Sequence, residues 1–170
     1  PPDAWPVRIE FDLSNTCNLQ CIQCHGELSS SIRIHREKRA PLPSQYSDAF
    51  FEDLRQRLPH LSSAGFAGGE PFLAREAYRV WDLCEELRPG LDCTVVTNGT
   101  QWNARVERAL EQVRVQPVIS LDGITAATYE AIRPGADHAR VLANLDRFCR
   151  YAARVATMLS HPRFIECHRL

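Results

Sequence analysis

A chain of 170 residues with 44% hydrophobic and 24% charged side chains has an ordinary globular composition, enough for one domain with a sizeable core and too little for a multidomain machine. Its formal charge of -1 gives no bulk attraction to nucleic acid or anionic lipid, and no apolar run approaches the roughly 18 residues that span a bilayer. The N-terminal PPDAWPVRIE lacks the charged and apolar blocks of a signal peptide, so a cytoplasmic chain with no nucleic-acid and no membrane partner is expected.

Val7 to Leu13 alternates apolar and polar side chains at period two and predicts a first strand, which stops at Ser14-Asn15. Three of the seven cysteines follow at once: Cys17, Cys21 and Cys24, in C-x3-C-x2-C spacing. Residues 26–47 show no period and carry a basic stretch, Arg33, His35, Arg36, Lys38 and Arg39, which predicts a long surface loop. Phe50, Phe51, Leu54 and Leu58 mark one face of a helix, with Ser47 or Asp48 as its N-cap and Pro59 as its stop.

A short strand at Ala64 to Ala67 runs into Gly68-Gly69-Glu70-Pro71. The helix at Arg75 to Leu87 ends before Pro89-Gly90 and aligns Ala77, Trp81, Cys84 and Leu87. A strand at Cys93 to Val96 leads to Thr97-Asn98-Gly99, then a helix from Asn103 carries Val106, Leu110 and Val113 inward. A strand at Gln116 to Leu121 closes on Asp122-Gly123, a short helix begins at Thr125, and a long helix spans His138 to Val155. Its inward residues are expected to be Val141, Leu142, Leu145, Phe148, Cys149 and Ala152.

Strands alternating with helices imply right-handed βαβ crossovers and a parallel sheet, so the class is α/β. Strand starts lie about 36 residues apart, which gives about four to five βα units and an open sheet or partial barrel. The cysteines, Gly68 to Pro71, Thr97 to Gly99 and Ser120 to Gly123 each follow a strand, and in parallel α/β folds such ends gather at one ligand-binding edge. Each turn taken singly is also an ordinary turn former.

Three cysteines in one loop can hold three corners of a 4Fe-4S cluster and leave one iron open. Structural zinc wants four ligands, so a zinc reading has to recruit His25 or a distant cysteine; the spacing favours iron and sulfur without removing that alternative. Cys84 and Cys149, on expected core faces of helices, and Cys93, in a strand, read as small buried apolar residues.

On these motifs the chain resembles the radical S-adenosylmethionine (radical SAM) superfamily. The cysteine loop after the first strand looks like its cluster loop, and Gly68-Gly69-Glu70-Pro71 looks like its GGEP motif. Thr97-Asn98-Gly99 and Ser120-Leu121-Asp122-Gly123 are similar to the SPASM and twitch branch of peptide-modifying members. The resemblance implies a radical SAM-type partial TIM barrel with a 4Fe-4S cluster on Cys17, Cys21 and Cys24. S-adenosylmethionine would chelate the remaining iron, one electron would cleave its carbon–sulfur bond, and a 5′-deoxyadenosyl radical would take a hydrogen atom from a substrate.

A peptide or protein substrate and an electron donor such as a flavodoxin or ferredoxin are implied in the same way. Gly68, Gly69, Glu70, Pro71, Asn98, Ser120, Asp122 and Arg133 are then the residues expected around S-adenosylmethionine: Glu70 as acceptor for its ammonium, Ser120 and Asp122 for its carboxylate or ribose, and Arg133 for its carboxylate. Arg133 reads equally well as a surface arginine near a Pro-Gly turn.

Two departures qualify the resemblance. Gln23 stands before the third cysteine, where the family usually has an aromatic residue. After Val155 only Arg163 to His168 can form a strand, so residues 1–156 are expected to be the N-terminal part of the core with strands one to four, and 157–170 a divergent or truncated tail. A fragment of a longer protein and a shortened member completed by a partner both fit. A non-catalytic metal-binding α/β protein, or a homologue that binds S-adenosylmethionine without turnover, is the competing function. The basic stretch from Arg33 to Arg39 reads as a solvated loop or as a guide for an acidic substrate or leader peptide.

Overall fold

The computed structural model describes residues 5–159 and 166–168. Among the described residues, five strands form one parallel sheet in the order β1-β2-β3-β4-β5: β1 (Arg8–Phe11), β2 (Ser63–Phe66), β3 (Asp92–Thr97), β4 (Arg114–Ser120) and β5 (Glu166–His168). Five α-helices among the described residues connect them: α1 (Asp48–Arg57), α2 (Arg75–Leu87), α3 (Ala104–Gln112), α4 (Ala126–Ile132) and α5 (His138–Leu159). Every strand pairs with its sequence neighbour, so the winding never reverses; this is the arrangement of a barrel wall left open, not of a doubly wound sheet.

The pleat assigns the two faces. Phe11, Phe66, Val95 and Pro117 share one register row, and Ala64, Cys93 and Val115 share another; all are buried. This face packs under Leu54, Ala77, Trp81, Cys84, Val106 and Phe148 of the helices, with Trp81 meeting Phe66 at 5.2 Å and Phe72 at 5.5 Å between ring centroids. The opposite row, Glu10, Gly65, Thr94 and Gln116, is largely polar, and Val96 on the same face is 39% exposed. Parallel sheets ordinarily bury both faces; here the described helices cover one, and the other is the inner wall of the incomplete barrel.

Helix ends follow their local chemistry. The Asn103 side chain caps α3 by accepting from the backbone of Arg105 and Val106, and Thr125 caps α4 by accepting from Thr128. Ser47 precedes α1 without a side-chain capping bond.

Two expectations are corrected. Residues 26–47 are not simply a surface loop: a π-helical turn spans Ile32–Arg36, Ile32 is fully buried, and Ser29 and Arg33 are buried with it. The basic stretch is largely engaged with its own surroundings, since Arg33 and Arg39 pair with Glu27 and Arg36 donates to the Gln20 carbonyl. On α5, Leu142 is 41% exposed and Cys149 is exposed, whereas Val141, Phe148 and Ala152 are buried. The inward stripe is narrower than the apolar stripe in the sequence, because α5 meets the sheet along one line of contact. Cys84 and Cys93 are buried, as their apolar settings predict. Helix α5 runs past position 157, and β5, within the expected tail, pairs with the edge of β4.

Candidate functional site

The C-terminal ends of β1 to β4 meet around the cysteine loop. Gly69 N donates to Ser14 O at 2.9 Å and Glu70 N to Thr16 O at 2.7 Å, joining the loop after β2 to the loop after β1. A Cβ on Gly69 would lie 2.4 Å from the Thr16 carbonyl oxygen, and Gly68 has φ of +91° with Asp12 against it. Backbone proximity between two strand ends therefore demands these glycines before any ligand is considered. Pro71 is buried beside them.

The cysteine loop is tied down on every side. Gln20 N and Ile22 N donate to the carbonyls of Pro134 and Ile132, each at 2.9 Å. Ser29 Oγ donates to Leu19 O at 2.6 Å, and Ser30 Oγ accepts from Cys17 N at 3.1 Å. Asn18 Nδ2 donates to Thr100 Oγ1 and Asn18 Oδ1 accepts from Asn98 Nδ2, both at 3.1 Å. Gln23 Nε2 donates to Asp122 Oδ2 at 3.1 Å.

Cys21 is buried, and Cys17 and Cys24 are half-buried. Two of the sulfurs face nitrogen donors: Asn98 Nδ2 lies 3.8 Å from Cys17 Sγ, and Arg133 Nη1 lies 3.7 Å from Cys21 Sγ. Burial pushes the Cys21 thiol up to about 11, with Arg133 pulling the other way, and burial likewise raises the Cys17 thiol. A metal that binds here must displace thiol protons, and the donors then meet the thiolate charge. Three thiols on one pinned loop, two of them addressed by N–H groups, fit an iron–sulfur cluster. Among the described residues no group of three His, Cys, Asp or Glu side chains is gathered to hold a single ion, and His25 is exposed with its Nδ1 accepting from Glu27 N at 3.3 Å.

Glu70 is enclosed by its own chain. Its Oε1 accepts from Thr97 Oγ1 at 2.7 Å and Phe72 N at 3.1 Å, and its Oε2 accepts from Asn98 N at 2.7 Å. Burial pushes its carboxyl up to about 7 against the pull of those donors. Asn98 is buried as well, its Oδ1 accepting from Thr100 N at 2.9 Å and Thr100 Oγ1 at 2.7 Å. Ser120 stands half-buried at the end of β4. Asp122 and Arg133 form an ion pair, Nε to Oδ2 at 2.5 Å, with side chains 3% and 9% exposed. Asp122 Oδ1 is buried without a hydrogen-bond partner among the described residues.

All eleven expected site residues thus lie at one edge of the sheet. Sequence reasoning placed Thr97 in a converging strand-end turn but missed Asn18, Thr100, Ser29 and Ser30 as members of the network. Asn18 sits inside the cysteine motif and Thr100 directly after the Asn-Gly turn, so a search for polar residues flanking both would have found them; the serines belonged to a stretch with no readable period.

The family model described as the Radical SAM superfamily matches residues 12–167. A probable GTP 3′,8-cyclase of Methanocella arvoryzae is 32% identical over 127 residues, covering 72% of this chain and 37% of that protein. Mycofactocin maturase MftC of Mycobacterium ulcerans is 31% identical over 148 residues, covering 82% of this chain and 36% of that protein. The chain therefore spans little more than a third of the length of these relatives. Streptococcus suis SuiB bound to S-adenosylmethionine superposes with a TM-score of 0.64 at 21% identity, over 86% of this chain and 32% of that one. SuiB bound to precursor peptide SuiA gives 0.63 at 20% identity, over 86% and 31%. Likeness at this level of identity speaks to the fold.

Proposed function

The chain belongs to the radical SAM superfamily, and from that premise we propose that it is the catalytic N-terminal portion of a radical SAM enzyme, with Cys17, Cys21 and Cys24 as the cluster ligands. Cys17, Cys21 and Cys24 would hold a 4Fe-4S cluster, which when bound would supply the electron for cleaving S-adenosylmethionine to methionine and a 5′-deoxyadenosyl radical, the species that would take a hydrogen atom from the substrate. The chain's own residues bind and orient. Asn98 and Arg133 direct N–H groups at the Cys17 and Cys21 sulfurs, where a low-dielectric setting strengthens them. Asn18 and Gln23 hold the loop to the ends of β3 and β4. Gly68 to Pro71, Asn98 and Ser120 are the residues that would line S-adenosylmethionine at the strand ends. The unpartnered, buried Oδ1 of Asp122 would accept from a hydroxyl of a ligand seated against it, and the Arg133 guanidinium beside it would supply positive charge toward the ligand carboxylate.

Glu70 serves this site by clasping the Gly68–Pro71 segment to Thr97 and Asn98; because all three of its bonds are internal, its contribution to the ligand ammonium runs through the placement of that segment. A peptide is the substrate class, supported by the mycofactocin maturase relative and the SuiB complex with a precursor peptide. A flavodoxin- or ferredoxin-type protein supplies the electron in a reducing cytoplasmic setting. Among the described residues no helix is long and apolar enough to cross a membrane.

The observation that carries the reading is the stitching of the three-cysteine loop to the other three strand ends, which places thiols, carboxylates and the guanidinium in one site. Anaerobic reconstitution with iron and sulfide, reduction, and addition of S-adenosylmethionine test it. The expected result is about four irons per chain and formation of 5′-deoxyadenosine. A complete cluster without 5′-deoxyadenosine overturns catalysis by this chain, and one tight zinc with no cluster supports the non-catalytic alternative.

A further inference from the structure

Two of the three cysteine sulfurs are addressed by donors, and each donor is held in turn by a buried carboxylate. On one arm Glu70 accepts the backbone N–H of Asn98, whose amide points at Cys17. On the other arm Asp122 accepts Arg133 Nε, and the same guanidinium points Nη1 at Cys21. Cys24 Sγ accepts no hydrogen bond among the described residues. The arms also differ in charge, because the first ends in a neutral amide and the second in a cation.

Geometry makes the second arm stiff. A guanidinium is a planar fork, so fixing Nε on Asp122 fixes the direction of Nη1. Asp122 is fixed in turn by Gln23 Nε2, which reaches it from inside the cysteine motif at 3.1 Å. The Arg133 backbone has separate employment at the end of α4, where its N–H donates to Tyr129 O at 2.8 Å. Neither ending the helix nor forming the adjacent Pro134-Gly135 turn requires a guanidinium at this position.

We propose that Arg133, aimed by Asp122, is a positioning residue that sets the reduction potential of the cluster through Cys21. This rests on the cluster reading given above. A cation beside a ligating thiolate stabilises the more negative, reduced state, and it does so strongly when both groups are withdrawn from water. The Asp122 carboxylate opposes that effect while it supplies the aim, so the two residues act on the potential with opposite sign.

The test is the midpoint potential of the reconstituted chain, measured by spectroscopically monitored redox titration without S-adenosylmethionine and at matched iron content. Arg133→Gln is expected to move the potential to more negative values, and Asp122→Asn, whose amide oxygen still accepts from Arg133 Nε while the opposing charge is gone, to more positive ones. Arg133→Lys keeps the charge but loses the fork, and a smaller negative shift is expected; it also serves if Arg133→Gln does not fold. Shifts of the same sign in Arg133→Gln and Asp122→Asn, or no shift in either with the cluster intact, overturn the proposal and leave the pair a purely structural tie. A wild-type chain that assembles no 4Fe-4S cluster overturns the cluster reading itself and this proposal with it.

Discussion

Glu70 is the residue whose chemistry differs most from what its position in a Gly-Gly-Glu-Pro run suggests. A carboxylate after two glycines invites a reading as an exposed acceptor, yet it is fully enclosed and bonded to Thr97, Phe72 and Asn98. Its folded carboxyl titrates near 7 against an ordinary 4.5, so the folded chain holds this proton more tightly than the unfolded one. The stability it contributes is full below about pH 4.5 and is lost as the pH rises through about 7. Glu70→Gln is expected to flatten the fall in melting temperature across that window, measured by thermal unfolding from pH 4.5 to 8; an unchanged profile would show that the carboxyl does not titrate there. Among the cysteines, Cys17→Ala, Cys21→Ala and Cys24→Ala should each abolish the cluster absorbance after reconstitution. Cys84→Ala, at a buried thiol packed in the core, should leave that absorbance intact.

At the scale of elements, caps and crossings decide what the periodic pattern leaves open. The Asn103 side chain accepts two backbone N–H groups at the start of α3, at 2.9 Å and 3.1 Å. Asn103→Ala should cost about 1 kcal/mol in urea unfolding without changing iron uptake, because the Asn103 side chain bonds the backbone of its own helix, at Arg105 and Val106. Gly69→Ala acts differently: its Cβ would meet the Thr16 carbonyl at 2.4 Å, and that backbone belongs to the cysteine loop. A loss of about 1–3 kcal/mol is expected, accompanied by reduced iron incorporation, which separates it from Asn103→Ala. The π-helical turn Ile32–Arg36 had no readable signature because it is brief and only one of its two apolar residues, Ile32, is buried, while Ile34 is exposed.

For the whole molecule, the single-direction winding places the helices on one face of the sheet and leaves the other as a polar inner wall. The core is therefore one layer between sheet and helices, centred on Trp81, which is fully buried against Phe66, Phe72 and Tyr78. Trp81→Ala should cost about 3–5 kcal/mol in chemical denaturation. Leu142→Ala, at a side chain 41% exposed on α5, should stay within about 0.5 kcal/mol, and a large loss there would contradict the placement of that face.

The fold class was legible in the residues alone, and so was which strand-end residues share one edge of the sheet. Alternation at periods of 2 and 3.6 is a local property, so the sequence of β and α elements could be read, and helix α2 ends where its Pro-Gly stop predicts. Cysteine spacing and strand-end turns are also local, and they named the residues that converge. What only the tertiary structure decided is how those residues face one another: that Glu70 turns inward onto Thr97 and Asn98, that Gln23 and Arg133 share Asp122, and that Arg133 reaches Cys21 across 112 positions of chain. Such pairings depend on the register of neighbouring strands and the packing of their loops. One-dimensional patterns carry no record of either, because a hydrogen bond between distant residues leaves no period in the sequence.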